Sequence, residues 1–344
     1  MKSLLFFISS FFIIHSSFSQ FKISSFQTLP GLSIRALEVQ NDSTAWFAAN
    51  RGVWGYTNDA GKNWHIDSIQ VDSLYPEFRS IAVVNDSTVL LLSISSPAYL
   101  FKTTNKGKKW KLVYMDKRKD IFFDSMKFWD DKNGMALADP IDGKIQLINT
   151  HDGGETWKTV DEVHVPYLEK GEAFFAASNS CFDFYQQHSW IATGGKNSRV
   201  LHSSNGGGSH LSYDTPLPEG EDMTGIYSID FFNSKLGIVG GGNYDKADTS
   251  ITALAITNDG GKTWMKVKTT IPIFGSCVQF ISKEEILITG SPGTFLYNLR
   301  TLKMIEIKNT NEKSEIYYTL RVSDAGNVVW LAGSDGRIAK ILIK

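Results

Sequence analysis

An eight-residue motif returns five times in one register along this chain, and it limits the possible folds more than any other feature. It occupies 57–64 (TNDAGKNW), 150–157 (THDGGETW) and 257–264 (TNDGGKTW). Two weaker copies lie at 103–110, with Asn105 at the acidic position, and at 203–210, with Asn205 for the acid and His210 for the Trp. An Asp or Asn side chain accepts hydrogen bonds from turn amides, and Gly adopts the left-handed backbone of a tight loop. Asp59, Asn105, Asp152, Asn205 and Asp259 therefore read as turn-tying residues, and Trp64, Trp110, Trp157 and Trp264 as covers over the hairpins. Such groups are structural, and none of them is a catalytic candidate. Five copies, each following a short apolar strand, indicate a repeat architecture.

Upstream of each copy two more strands align. The first runs as one variable residue, one small residue, then apolar, polar, apolar, at 35–39, 79–83, 124–128, 180–184, 227–231, 276–280 and 318–322. The second follows about ten residues later as an apolar run ending in small residues, at 45–49, 89–93, 135–138, 190–194, 237–241, 286–290 and 329–333. Seven such units predict an all-β fold, a seven-bladed β-propeller. The last unit stops after 338–343, one strand short of four, and the segment 21–27 is expected to supply that strand and close the ring.

Lys2, the apolar stretch 4–14 and the small-x-small sequence Ser17-Phe18-Ser19 read as a signal peptide at 1–19, cleaved near Ser19/Gln20. The expected mature chain is then one domain, 20–344, secreted or periplasmic. The apolar stretch falls short of the roughly 20 residues a membrane span needs. A formal net charge of −1 without a basic stripe argues against nucleic-acid partners. Cys181 and Cys277 are too few for a disulfide framework, and their places in units four and six predict free thiols. The histidines are scattered without metal-ligand spacing, so no metal site and no cofactor is expected.

The motif copies, together with Asp139-Pro140-Ile141-Asp142-Gly143-Lys144, the stretch 171–178 (GEAFFAAS) and Gly194-Gly195 through Arg199-Val200, carry a family resemblance. The chain resembles the BNR/Asp-box propellers related to the photosystem II stability/assembly factor, and more distantly sortilin ectodomains and sialidases. The resemblance implies a scaffold that grips a protein partner. Nothing in the sequence indicates photosynthesis.

In a propeller the first strand of each blade lines the central channel, and its start shares a face with the loop after the second strand. The turn motifs lie on the opposite face. This places Arg35, Arg79, Asp124, Tyr227 and Tyr318 at one channel mouth, joined by Arg51, Asp139, Asp142, Lys196, Arg199, Tyr244, Asp245 and Arg337 from the loops. Arg and Tyr gain most on desolvation at an interface, so this polar, aromatic rim is the expected site for a protein or peptide. The alternative is a glycan ligand or sialidase-like hydrolysis, with Arg35, Arg79, Tyr227, Tyr318, Glu172 and Asp139 cast as carboxylate clamp, nucleophile and acid. Against it, Arg35-Ala36-Leu37 and Arg79-Ser80-Ile81 stand where sialidases carry Arg-Ile-Pro.

Overall fold

Strands with one polar and one apolar face must bury the latter, and here they do so blade against blade. The computed structural model describes residues 21–160, 166–247, 253–311 and 313–343. The first blade is an antiparallel sheet of Ile34–Val39, Ala45–Ala49, Val53–Thr57 and His65–Ser68, running outward from the channel. Six further sheets begin at Phe78–Val83, Phe123–Phe128, Phe182–Tyr185, Thr224–Phe231, Phe274–Phe280 and Tyr317–Val322, giving the seven-bladed propeller. No helix among the described residues is long and apolar enough to cross a membrane.

The second strands explain how the blades adhere. All five residues of Ala45–Ala49 are buried, because successive side chains point to opposite faces and both faces meet a neighbouring blade. Trp46 and Ala48 pack with Phe78, Ile81 and Leu91 of blade 2. Ala45, Phe47 and Ala49 pack the other way, against Trp330 and Ile338 of blade 7. An apolar cluster of this kind fills each of the seven blade interfaces.

The ring closes as the missing strand predicts. Ile23–Gln27 is the outermost strand of blade 7, pairing antiparallel with Ile338–Leu342 through Ile23 opposite Ile341 and Ser24 opposite Lys340. Ile23 is fully buried in the core shared by blades 6 and 7. The expected leader at 1–19 and its expected cleavage point lie outside the described residues.

Blade 4 departs from the expected register. Its inner strand begins at Phe182, not Ser180, and its second strand ends at Ala192. Gly194–Gly195 pairs instead with Glu172–Ala173 and touches Gly225, which widens the blade 5 sheet to six strands. Only glycines allow that approach: Gly225 has a φ of 125°, and a Cβ there would collide with the backbone of Gly194. The shift arises because the chain just before blade 4 leaves the sheet for the channel.

Candidate functional site

The residue that opens each inner strand is held by a β-bulge. In six blades the pairing register slips by one at this point, leaving Arg35, Arg79, Asp124, Tyr227, Ser276 and Tyr318 without a cross-strand partner. A bulge re-aims the side chain it carries, and these side chains come from around the ring at one channel mouth.

The channel is not open behind them. Segment 174–181 crosses it, and its polar groups reach blades on the far side. The Asn179 amide oxygen accepts from Met126 N at 2.9 Å and Ser125 Oγ at 3.1 Å, and its nitrogen donates to the Ile81 carbonyl at 2.9 Å. Ser178 Oγ donates to the Ser276 carbonyl at 2.8 Å. Arg321 donates to the carbonyls of Ser178 and Asn179, each at 3.0 Å, and to Glu38 Oε1 at 3.1 Å. This plug divides the channel into two unlike cavities.

Above the plug lies a pocket of 230 Å³ with Phe175, Ala176 and Ala177 at its base and Arg35, Arg79, Tyr227, Tyr244 and Met223 around it. Phe175 stacks on Tyr227 with ring centroids 3.8 Å apart. The Arg35 guanidinium sits 4.1 Å from the centre of the Tyr318 ring, a cation–π contact. Arg79 pairs with Glu77 at 2.7 Å and stays partly exposed.

Several rim residues sit elsewhere than the sequence places them. Asp124 is fully buried, with the backbone amides of Ala176 and Asp139 as its nearest donors. Burial, reinforced by the neighbouring Asp139 carboxylate, raises its pKa well above the usual range. A neutral acid needs no counter-charge, and the backbone amides of Ala176 and Asp139 and the Arg79 charge offset only part of the rise. Tyr227 is only 2 % exposed; its ring is packed against Phe175 and Phe274, and its hydroxyl donates to the Met223 carbonyl at 3.0 Å. Arg199 is clamped on both Glu172 oxygens at 2.7 Å and ties the strand at 172–173 to blade 4.

Asp139 and Asp142 border a separate open groove beside Tyr167 and Glu169 rather than the axial pocket. Asp139 accepts from Phe174 N at 2.8 Å and burial raises its pKa to about 6. Asp142 has a φ of 53° in the two-residue Asp-Gly turn between Ile141 and Lys144, a conformational duty. Lys196 donates to the Gly220 carbonyl, and Arg337 lies 3.6 Å from Asp335. Arg51 and Asp245 are exposed and line neither cavity.

Two of the groups that hydrolysis would draw on are engaged elsewhere. The Tyr227 hydroxyl is occupied and buried, with burial and then Asp245 raising its pKa, so it is a poor nucleophile. Both Glu172 oxygens are held by Arg199. No group of three or more His, Cys, Asp or Glu side chains among the described residues is placed to hold a metal ion.

On the opposite face the five turn motifs repeat one set of bonds. Asp152 Oδ1 accepts from Thr150 Oγ1 at 2.8 Å and from the amides of Glu155 and Thr156 at 3.0 Å. Asp259 does the same with Thr257, Lys262 and Thr263. Asp59, Asn105 and Asn205 each accept from the hydroxyl two residues earlier and the amide four residues later. The Asn63 amide and side chain hold the Asp59 carboxyl down at about 2. Trp64 meets Phe47 and Trp330, Trp110 meets Trp54, Trp157 meets Phe128, and Trp264 meets Phe231, all as ring contacts.

Of the residues that organise the channel, Ser178 ends the distinctive stretch 171–178, whereas Asn179, Arg321 and Glu38 are ones the sequence does not single out. Asn179 takes a φ of 56°, a conformation Asn tolerates, but its place in the sequence carries no mark of it.

No family model matches this chain, and no curated protein matches it. Solved structures do. YCF48 bound to D1 peptide superposes with a TM-score of 0.68 at 10 % identity, over 95 % of this chain and 98 % of that one. YCF48 from Cyanidioschyzon merolae gives 0.66 at 12 % identity over 93 % and 98 %, and U3-55K gives 0.66 at 12 % over 94 % and 98 %. At these identities, with WD40 propellers such as RRP9 among the similar structures, the likeness shows the propeller fold and nothing finer.

Proposed function

We propose that this chain is an exported, non-enzymatic binding propeller of the Asp-box type that holds a protein or peptide segment at the plugged channel mouth. The observation that carries the reading is the set of bulged side chains Arg35, Arg79 and Tyr227 gathered around an apolar base of Phe175 to Ala177, with the Tyr318 ring held against Arg35. Two cations, stacked aromatic faces and a dry base are what a peptide anchor requires. YCF48, a propeller of the same outline, has been seen with a D1 peptide bound, so the fold accommodates such a ligand.

The test is capture of partners from the exported fraction of the native host by wild-type protein and by the Arg35→Glu, Arg79→Glu double variant. Both arginines are partly exposed, so the fold should survive with a stability change within about 1 kcal/mol. Loss of one specific polypeptide from the variant's eluate supports the reading. Retention of the same polypeptides by both proteins overturns it, and so does glycoside turnover that depends on Tyr318 or Glu172.

A further inference from the structure

Below the plug, on the face that carries the turn motifs, the channel opens into a second cavity of 440 Å³. Its ring comes from one register position, the polar residue of each inner strand: Glu38, Lys127, Asp183, Asp230, Gln279 and Arg321. In blade 2 the equivalent residue is Ala82, and this small side chain leaves room on one side. Phe128, Trp129, Phe184 and Tyr185, from blades 3 and 4, line the same cavity. Trp129 rests on Phe184 with centroids 4.9 Å apart and is still 43 % exposed. The cavity is therefore amphipathic, lined by charged groups and by an aromatic cluster.

The valences in the ring are unevenly used. Arg321 is consumed by Glu38 and by the plug carbonyls. Lys127 donates to Asp183 Oδ1 at 2.8 Å, while Asp183 Oδ2 accepts from Phe231 N. Asp230 accepts from Phe280 N through Oδ2 alone, and Glu38 engages its neighbours through Oε1 alone. With Arg321 set against Glu38 and Lys127 against Asp183, Asp230 is the remaining carboxyl without a cation of its own. Burial and the nearby Asp183 charge raise its pKa to about 7, the response of an acid whose anion lacks a counter-charge.

We propose that this cavity binds a small organic cation, an ammonium carried on an aromatic body, with the ammonium against Asp230 and the body against Trp129 and Phe184 beside Ala82. The volume falls within the range of small-ligand sites, and a cavity lined both by aromatic rings and by a carboxylate without its own cation suits such a ligand on both counts. The site stands apart from the proposed partner face, since the plug lies between them.

The test titrates the full mature chain with 2-phenylethylamine, 2-phenylethanol and phenylacetate by calorimetry, with indole fluorescence as a second readout. The amine should bind about tenfold or more tightly than the alcohol, and phenylacetate weakest of the three. Asp230→Asn, which can still accept from Phe280 N, should erase the amine's advantage over the alcohol. Ala82→Leu should fill the gap and weaken both ligands by about tenfold or more. Trp129→Ala, a partly exposed change, keeps the test decisive if Asp230→Asn does not fold, and should weaken the amine several-fold. Equal affinity for amine and alcohol in the wild type, or amine binding unchanged in both Ala82→Leu and Trp129→Ala, would overturn the proposal.

Discussion

Replacing Asn179 with Ala is the most demanding test of the plugged channel. The side chain is fully buried and serves two backbone groups of other blades, the Met126 amide at 2.9 Å and the Ile81 carbonyl at 2.9 Å. Alanine leaves both without a partner and out of water, at about 1–3 kcal/mol each. It also places an ordinary side chain at a φ of 56°, which costs about 1 kcal/mol more than at a permissive residue. The expected loss is on the order of 4 kcal/mol, large for a single substitution. Asn179→Gly removes the same hydrogen bonds without the dihedral penalty, so it should be less damaging than Ala by about 1 kcal/mol. Equilibrium unfolding in urea, compared at constant m-value, measures both. Losses below about 1 kcal/mol in both variants would refute the cross-channel tie.

Three further outcomes follow from the same geometry. Deleting 21–27 removes the buried Ile23, worth about 1.5–3 kcal/mol, and bares the edge of Ile338–Leu342; calorimetry should show a lower Tm, and an unchanged Tm would refute closure by this strand. Burial, with His188 adding to it, lowers His202 to about 4, so the unfolded chain takes up a proton first. Stability should therefore be fully present above about pH 6.5 and decline as pH falls towards 4, and His202→Phe should flatten that slope in denaturation midpoints. Cys181 and Cys277 are free and fully buried, so mass spectrometry of unreduced protein should find two thiols that alkylate only on unfolding; rapid labelling of the native protein would contradict their placement.

The blade count and the closing strand are legible in the sequence because each strand's pattern states a physical requirement. Ala45–Ala49 must be apolar throughout to face two blades, and a terminal unit lacking one strand must borrow it or expose an edge. The channel plug is not legible in the same way. Segment 174–181 forms no strand and carries no period, and its bonds reach Ile81, Ser276 and Arg321, close in space but as much as 143 residues away in sequence. Likewise nothing in the spacing of Glu172 and Arg199 announces an ion pair that withdraws both from the rim. The rim forecast places Arg35, Arg79, Tyr227 and Tyr244 around one pocket. It overstates Asp124 because a charged residue at a strand start looks exposed until the plug is laid over it.

A repeat protein also offers a comparison within itself. The turn motif keeps its hydroxyl, its Asp or Asn and its bonds in five blades, even where Trp gives way to His210, so those residues answer a demand that these five blades share. Two positions of the inner strand behave differently. The bulged residue runs Arg, Arg, Asp in blades 1 to 3 and Tyr, Ser, Tyr in blades 5 to 7, and the ring residue below the plug runs through both charges, an amide and Ala82. Equivalent backbone settings with unlike side chains are not explained by blade folding, which would be served as well by one residue type repeated. The asymmetry is concentrated at the two channel mouths, and the plug of 174–181 keeps them physically separate. Charge reversal at Arg35 and Arg79 should therefore leave amine binding at the lower cavity unchanged, and Asp230→Asn should leave partner capture at the upper mouth unchanged. Coupling between the two would mean that the plug transmits rather than isolates.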